Sequence, residues 1–113
     1  MILNDFYTLT CKDETRFCVK LSDATHPMFQ AHFPTNPIVA GFVLLDMSAE
    51  ILGVEIVKIT KAKFLKNIAP LSVLWFNFQT TENTLKIRVS QNEQKVAELT
   101  YEKRWNDRCR SNL

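Results

Sequence analysis

Two side chains of this sequence, His32 and Asp46, are suited by type and setting to move protons. Asp46 is the first charge after a long apolar run, within a stripe of Val39, Phe42, Val43 and Ala49 at helical spacing. Glu50 follows one turn further along the same face. A carboxylate among aliphatic side chains is costly unless it is paired or its pKa rises until it is protonated. Two carboxylates at that spacing push the same way, and a carboxylic acid held neutral near pH 7 is a general acid. His32, set among prolines in the segment that feeds the helix, is the complementary base. Gly41, near the helix start, lets a backbone approach closely, and unpaired N–H groups there can bind a developing oxyanion. Acid, base and oxyanion donor together suit removal of a proton α to a carbonyl with loss of a β-hydroxyl. Plainer roles stand beside these: a histidine such as His26 is often a hydrogen-bonded structural residue, and a buried Asp is often part of a polar network.

These groups need elements to hold them. The run from Pro37 to Gly53 is predicted to be the one long helix, with Pro at its first turn and Gly at its stop. Its apolar positions go almost all the way round, which predicts burial on most sides. Before it, Phe6–Cys11 and Phe17–Leu21 read as strands joined by the polar turn Lys12–Thr15, and 22–37 carries three of the four prolines and both histidines. Phe29 and Phe33 make that segment too aromatic for a solvated loop, so it is expected to pack down. After the helix come Glu55–Thr60, Ala62–Lys66, Leu71–Thr80, Thr84–Gln91 and Val96–Trp105, all strand-like. Thr84–Gln91 alternates Leu85, Ile87 and Val89 with polar residues, and Asn92-Glu93 is the turn that follows it. One buried helix with a long antiparallel sheet is an α+β architecture. Its edge strand would be managed by pairing in a dimer.

With 113 residues, 46% hydrophobic and 23% charged, the chain is expected to form one domain, 1–113, ending in a flexible basic tail at 106–113. The net charge of +2 hides a split: residues 1–57 carry −4 and residues 58–113 carry +6. An acidic partner would therefore meet the second half. There is no basic n-region for a signal peptide, and the longest near-continuous apolar run, Ile38–Leu45, is too short for a membrane span. Cys11, Cys18 and Cys109 are an odd count without a CxxC; pairing across an Asp13-Glu14 turn puts Cys11 opposite Arg16 and Cys18 opposite Leu9. The expectation is three reduced thiols in a cytoplasmic protein.

The string Phe29-Gln-Ala-His32-Phe-Pro-Thr-Asn-Pro-Ile-Val-Ala-Gly41-Phe-Val-Leu-Leu-Asp46-Met-Ser-Ala-Glu50 resembles the β-hydroxyacyl-(acyl carrier protein) dehydratases. Their motif runs F-x-G-H-F-P-x-x-P-x-x-P-G and then reaches an acid, and the thirteen residues between His32 and Asp46 match the spacing of the family's catalytic pair. Having Asp as the acid resembles the decanoyl-type branch. The resemblance covers about residues 6–105, with only 29–50 specific. It implies the hotdog fold, a long central helix wrapped by an antiparallel sheet. It also implies a homodimer, or a trimer of dimers, in which His32 of one subunit faces Asp46 of the other.

The implied reaction is reversible dehydration of a 3-hydroxyacyl thioester, on acyl carrier protein or CoA, to the trans-2-enoyl thioester. His32 would take the C2 proton, Asp46 would protonate the leaving hydroxyl, and Gly41 N–H would polarise the carbonyl. Phe33 and Phe42 would line the acyl site and Glu50 would support the acid, with no metal and no cofactor. The sequence departs from the family pattern at Ala31, Ala40 and Glu50, where the family has Gly, Pro and usually Gln. Lys58, Lys61, Lys63 and Lys66 are a candidate docking strip for the acidic carrier, or equally a solvated strand edge. Nucleic-acid binding is a poor competitor, for want of a recognition motif. A thioesterase on the same fold, with Asp46 or Glu50 activating water, and a degenerate acyl-binding or partner subunit are the alternatives.

Overall fold

The computed structural model describes residues 5–30, 39 and 41–105. Six strands, β1 (Tyr7–Lys12), β2 (Arg16–Leu21), β3 (Val54–Phe64), β4 (Val73–Thr80), β5 (Thr84–Gln91) and β6 (Gln94–Trp105), form one antiparallel sheet. Their order is β1-β2-β4-β5-β6-β3, so β1 and β3 are its edges. A one-turn helix α1 (Pro27–Gln30) and the long helix α2 (Gly41–Leu52) complete the described elements. The result is α+β, as the sequence pattern predicts.

Period-two alternation decides which side of the sheet meets α2. Phe17, Val19 and Leu21 on β2, Leu74 and Phe76 on β4, Leu85, Ile87 and Val89 on β5, and Ala97, Leu99 and Tyr101 on β6 are all buried. Lys86, Arg88, Asn77 and Gln79, between them in sequence, are exposed on the opposite face. Against the inner face α2 buries Val43, Leu44, Leu45, Met47 and Ser48. Phe17 stacks on Phe76 with ring centroids 4.7 Å apart. Phe29 is fully buried beside Phe6, so the described part of the proline-rich segment is packed down as expected. Residues 31–38, with Phe33, and the tail 106–113, with Cys109, lie outside the described residues.

Turn chemistry sets the boundaries. Asp13 Oδ1 accepts from the N–H groups of Thr15 (2.8 Å) and Arg16 (3.0 Å) and closes the β1–β2 hairpin. Asn92 and Glu93 both take positive φ, 52° and 65°, the primed geometry that suits a tight β5–β6 hairpin. Gly53, at φ 69°, stops α2 where the sequence predicts a stop.

Two expectations are corrected. Glu55–Thr60 and Ala62–Lys66 are not two strands: β3 is one strand of 11 residues, whose pairing with β6 slips at two bulges, between Ile56 and Lys58 and between Ile59 and Lys61. The helix itself is buried on most sides, as its pattern predicts, with Phe42 and Glu50 exposed and Asp46 and Ala49 half-buried. Cys11 sits opposite Cys18, not Arg16, because a bulge between Leu9 and Cys11 shifts the β1–β2 register; both thiols are free. Lys103 faces inward and is 5% exposed. Its ammonium donates to the Glu82 carbonyl (3.3 Å) and lies 4.9 Å from the Trp105 ring centroid.

Candidate active site

Gly41 is the first residue of α2, so its N–H belongs to the four at a helix start that have no intrahelical carbonyl. The positive end of the helix dipole is there too. The aromatic ring of Phe64, at the end of β3, covers the Gly41 α-carbon so closely that a β-carbon would lie 2.6 Å from its Cε2 and Cζ. Any larger residue here would force the Phe64 ring to shift. Val39 N–H donates to the Ile68 carbonyl at 2.8 Å and ties the chain ahead of the helix to the β3–β4 connection.

From Phe42 at the helix start, Asp46 and Glu50 follow at helical spacing and make a stripe that is half-buried to exposed. Asp46 is thus reachable from outside the protomer, though half-sheltered by its neighbours. Asp46 and Glu50 share this face as the spacing requires, yet they are not a buried acid pair. Glu50 is exposed and accepts a 2.5 Å hydrogen bond from the phenol of Tyr7 on β1. Partial burial of Tyr7, then that hydrogen bond and the Glu50 charge, hold the phenol protonated well above its ordinary range. Lys12 of the same strand donates to the Ile51 carbonyl at 3.2 Å, so edge strand β1 is clasped to the last turns of α2. Tyr7 has no local signal in the sequence, since it lies 43 residues from Glu50.

A second contact invisible to local pattern fixes the helix from below. The buried Ser48 hydroxyl donates to the Leu45 carbonyl (2.7 Å) and lies 2.9 Å from the Tyr101 hydroxyl of β6. Burial pushes the Tyr101 phenol up to about 12, against the opposing effect of the Ser48 hydrogen bond. The pair sets the rotation of α2 on the sheet, and with it the direction in which Asp46 faces.

His32 and Phe33 lie outside the described residues. The lysines separate. Lys58, Lys61 and Lys63 are on β3, in register with Glu102, Thr100 and Glu98 on the sheet's outer face. Lys66 follows the strand and donates to Gln94 Oε1. Lys61 pairs with Glu98 at 2.9 Å. Among the described residues no group of three or more His, Cys, Asp or Glu could hold a metal ion, and no helix is long and apolar enough to cross a membrane.

Comparison with known proteins adds to this geometry. The family model described as ApeI-like, ApeI dehydratase, matches residues 10–100. The 3-hydroxyacyl-[acyl-carrier-protein] dehydratase FabZ of Thermoanaerobacter sp. (strain X514) is 36% identical over 45 residues, which are 40% of this chain and 32% of that protein. The FabZ of Xanthomonas euvesicatoria pv. vesicatoria (strain 85-10) is 29% identical, with 58% of this chain aligned to 55% of it. The chain thus spans between a third and just over half the length of these curated relatives. Among solved structures, the dehydratase heterocomplex ApeI:P from Xenorhabdus doucetiae superposes with a TM-score of 0.67 at 19% identity, covering 86% of this chain and 96% of that one. The shared architecture is the hotdog fold.

Proposed function

We propose that this chain, which belongs to the ApeI-like dehydratase family, interconverts 3-hydroxyacyl and trans-2-enoyl thioesters carried on acyl carrier protein. The observation that carries the reading is the placement of Asp46. It is an acid on the uncovered stripe of an otherwise core helix, just over one turn from the N-terminal Gly41.

In the forward direction His32 removes a proton from C2 of the substrate. The electron pair forms the C2=C3 double bond, and the C3–O bond breaks as the Asp46 carboxyl delivers its proton to the hydroxyl, which leaves as water. Proton transfer from His32 back to Asp46, through water, resets the pair. The Gly41 N–H, with the helix dipole behind it, steadies the charge that gathers on the thioester oxygen. Each proton-transfer role is worth about 10²–10⁴ in rate. Phe33 and Phe42 would line the acyl chain's path, and Glu50, held by Tyr7, would keep its charge directed away from Asp46.

The acid of one subunit would serve the histidine of its partner. What supports this is edge strand β3: it is 11 residues long, has no strand on its outer side among the described residues, and exposes Val57 (57%), Ile59 (49%) and Phe64 (46%). A long edge that exposes large apolar side chains beside its lysines favours a partner strand. Antiparallel pairing of two β3 strands, in a homodimer or a trimer of dimers, would join two sheets and bring two copies of α2 near the same seam. The free thiols Cys11 and Cys18 suit a reducing cytoplasm.

The test is a coupled spectroscopic assay with 3-hydroxyacyl and enoyl thioesters of the carrier, following the enoyl absorbance. His32→Ala and Asp46→Asn are each expected to lower kcat/KM by about 10²–10⁴. Undiminished turnover in both variants would sink the mechanism. Release of free thiol in the same cuvette would reassign the chain to thioester hydrolysis.

A further inference from the structure

The outer face of the sheet, away from the helix and from the proposed site, is not a featureless solvated surface. A broad open cavity of about 720 Å³ crosses it from Thr15 at the start of β2 to Thr60 and Lys61 on β3. We propose that this trough is a binding site for a small organic anion that carries two or more phosphate groups.

The register builds the site. Arg88 lies between Asn77 and Glu98, and Lys86 lies between Gln79 and Thr100, with Lys61 beyond Thr100. All of these line the cavity. Neighbouring strands are about 4.8 Å apart and alternate residues about 7 Å apart along a strand. Lys86 and Arg88 are therefore about 7 Å apart at the backbone, and Lys86 and Lys61 about 10 Å. Charges spread over that span fit an extended polyphosphate better than a single phosphate. The Thr100 hydroxyl stands between Lys86 and Lys61, and the amides of Asn77 and Gln79 flank the cations on β4, all donors that oxygen-rich anions accept from.

The charge balance favours an anion as well. The side chains of Lys86 and Arg88 have no ion-pair or hydrogen-bond partner among the described residues. Among the described residues the cavity's one acid is Glu98, which faces Arg88 across the strands but spends its carboxylate on Lys61 (2.9 Å) and Lys95 (2.6 Å). Hydrogen bonds from Lys95 and then Lys61 hold its pKa down at about 2, so it stays ionised and keeps Lys61 partly neutralised. Among the described residues three cations face one acid in the trough, and two of the three are uncommitted. The discrete donors of this open trough suit a small charged ligand more than a flat protein face.

The experiment is calorimetric titration of the full chain with inorganic tripolyphosphate at low ionic strength. One saturable site per chain is expected, weakening as salt rises. Lys86→Ser and Arg88→Ser should each weaken binding about 3- to 10-fold, in line with single charge-assisted contacts at an exposed site. Glu98→Gln should tighten it by a similar factor, because it releases Lys61 and Lys95. Lys12→Ser, an equal charge change on the far edge strand, should leave the affinity unchanged. All the trough substitutions are on solvent-facing side chains, and far-ultraviolet circular dichroism checks that they fold. Absence of saturable binding, equal affinity in the Lys86→Ser/Arg88→Ser double variant, or weaker binding in Glu98→Gln overturns the proposal. Binding of an acidic carrier protein that tripolyphosphate does not compete away would overturn it too, in favour of a protein-docking face.

Discussion

Replacing Gly41 by alanine adds one methyl group at the point where helix α2 meets strand β3. The new β-carbon would lie 2.6 Å from Cε2 and Cζ of Phe64 and 2.9 Å from Cδ2. Carbon atoms pack at roughly 3.5–4.0 Å, so the ring must retreat by about 1 Å. Two effects oppose each other. Alanine favours the helix by about 0.5–1 kcal/mol over glycine. Overpacking costs about 1–3 kcal/mol, toward the low end here because Phe64 is 46% exposed and its ring can swing outward. Gly41→Ala is thus expected to destabilise the protein by about 0.5–2 kcal/mol. The reasoning makes a sharper demand in the background of Phe64→Ala. With the ring gone, only the helix preference remains, and Gly41→Ala should become stabilising by about 0.5–1 kcal/mol. The four proteins of this double-mutant cycle are compared by urea unfolding, with coupling of about 1–3 kcal/mol expected. An identical effect of Gly41→Ala in both backgrounds would refute the close approach as the reason for glycine at this position.

Other outcomes follow from single contacts. Tyr101 has a folded pKa of about 12 against an ordinary 10.0, so its protonated form is favoured by folding. The associated stability is complete below pH 10 and is lost as pH rises toward 12, at about 1.4 kcal/mol per pH unit. Urea midpoints at about pH 9 and about pH 11 should fall less in Tyr101→Phe than in the native chain; equal falls would show that this phenol does not titrate as described. Ser48→Ala leaves the Tyr101 hydroxyl buried without its partner and should cost about 1–3 kcal/mol by the same method. Glu93→Gly, at a φ of 65° in the β5–β6 turn, should raise the thermal midpoint, corresponding to about 0.5–1 kcal/mol. Alkylation followed by peptide mass spectrometry should modify exposed Cys11 well before buried Cys18, although the two are opposite each other in the β1–β2 ladder.

What was legible in the sequence was whatever repeats or sits close along the chain. Strand β5 keeps strict alternation because both of its neighbours pair with it over nearly its whole length, and its bounds are those the pattern predicts. Gly53 announces the helix stop through its freedom at positive φ. Strand β3 misled because each bulge adds a residue on one side only, which resets the alternation and makes one strand look like two. The hidden determinants are all long-range. Tyr7 to Glu50 spans 43 residues and Ser48 to Tyr101 spans 53, and no periodicity connects such pairs.

The same distinction bears on the candidate site. Asp46, Glu50, Phe42 and Gly41 are on one short helix, so helical spacing alone places them relative to one another. Which way that helix faces is a separate matter, decided by Tyr101 beneath it and by Tyr7 and Lys12 reaching across from the far edge. The expectation of a buried acid pair failed at this step. Helical spacing put both carboxylates on one face, but the sheet's inner surface is filled by Val43, Leu44, Met47 and Ser48, and the acids were left on the open stripe. An open acid on a core helix has little use within one protomer. It becomes useful where a second surface closes over it, and the edge of β3, which has no strand on its outer side among the described residues and exposes large apolar side chains, is the feature of this fold that invites such a surface.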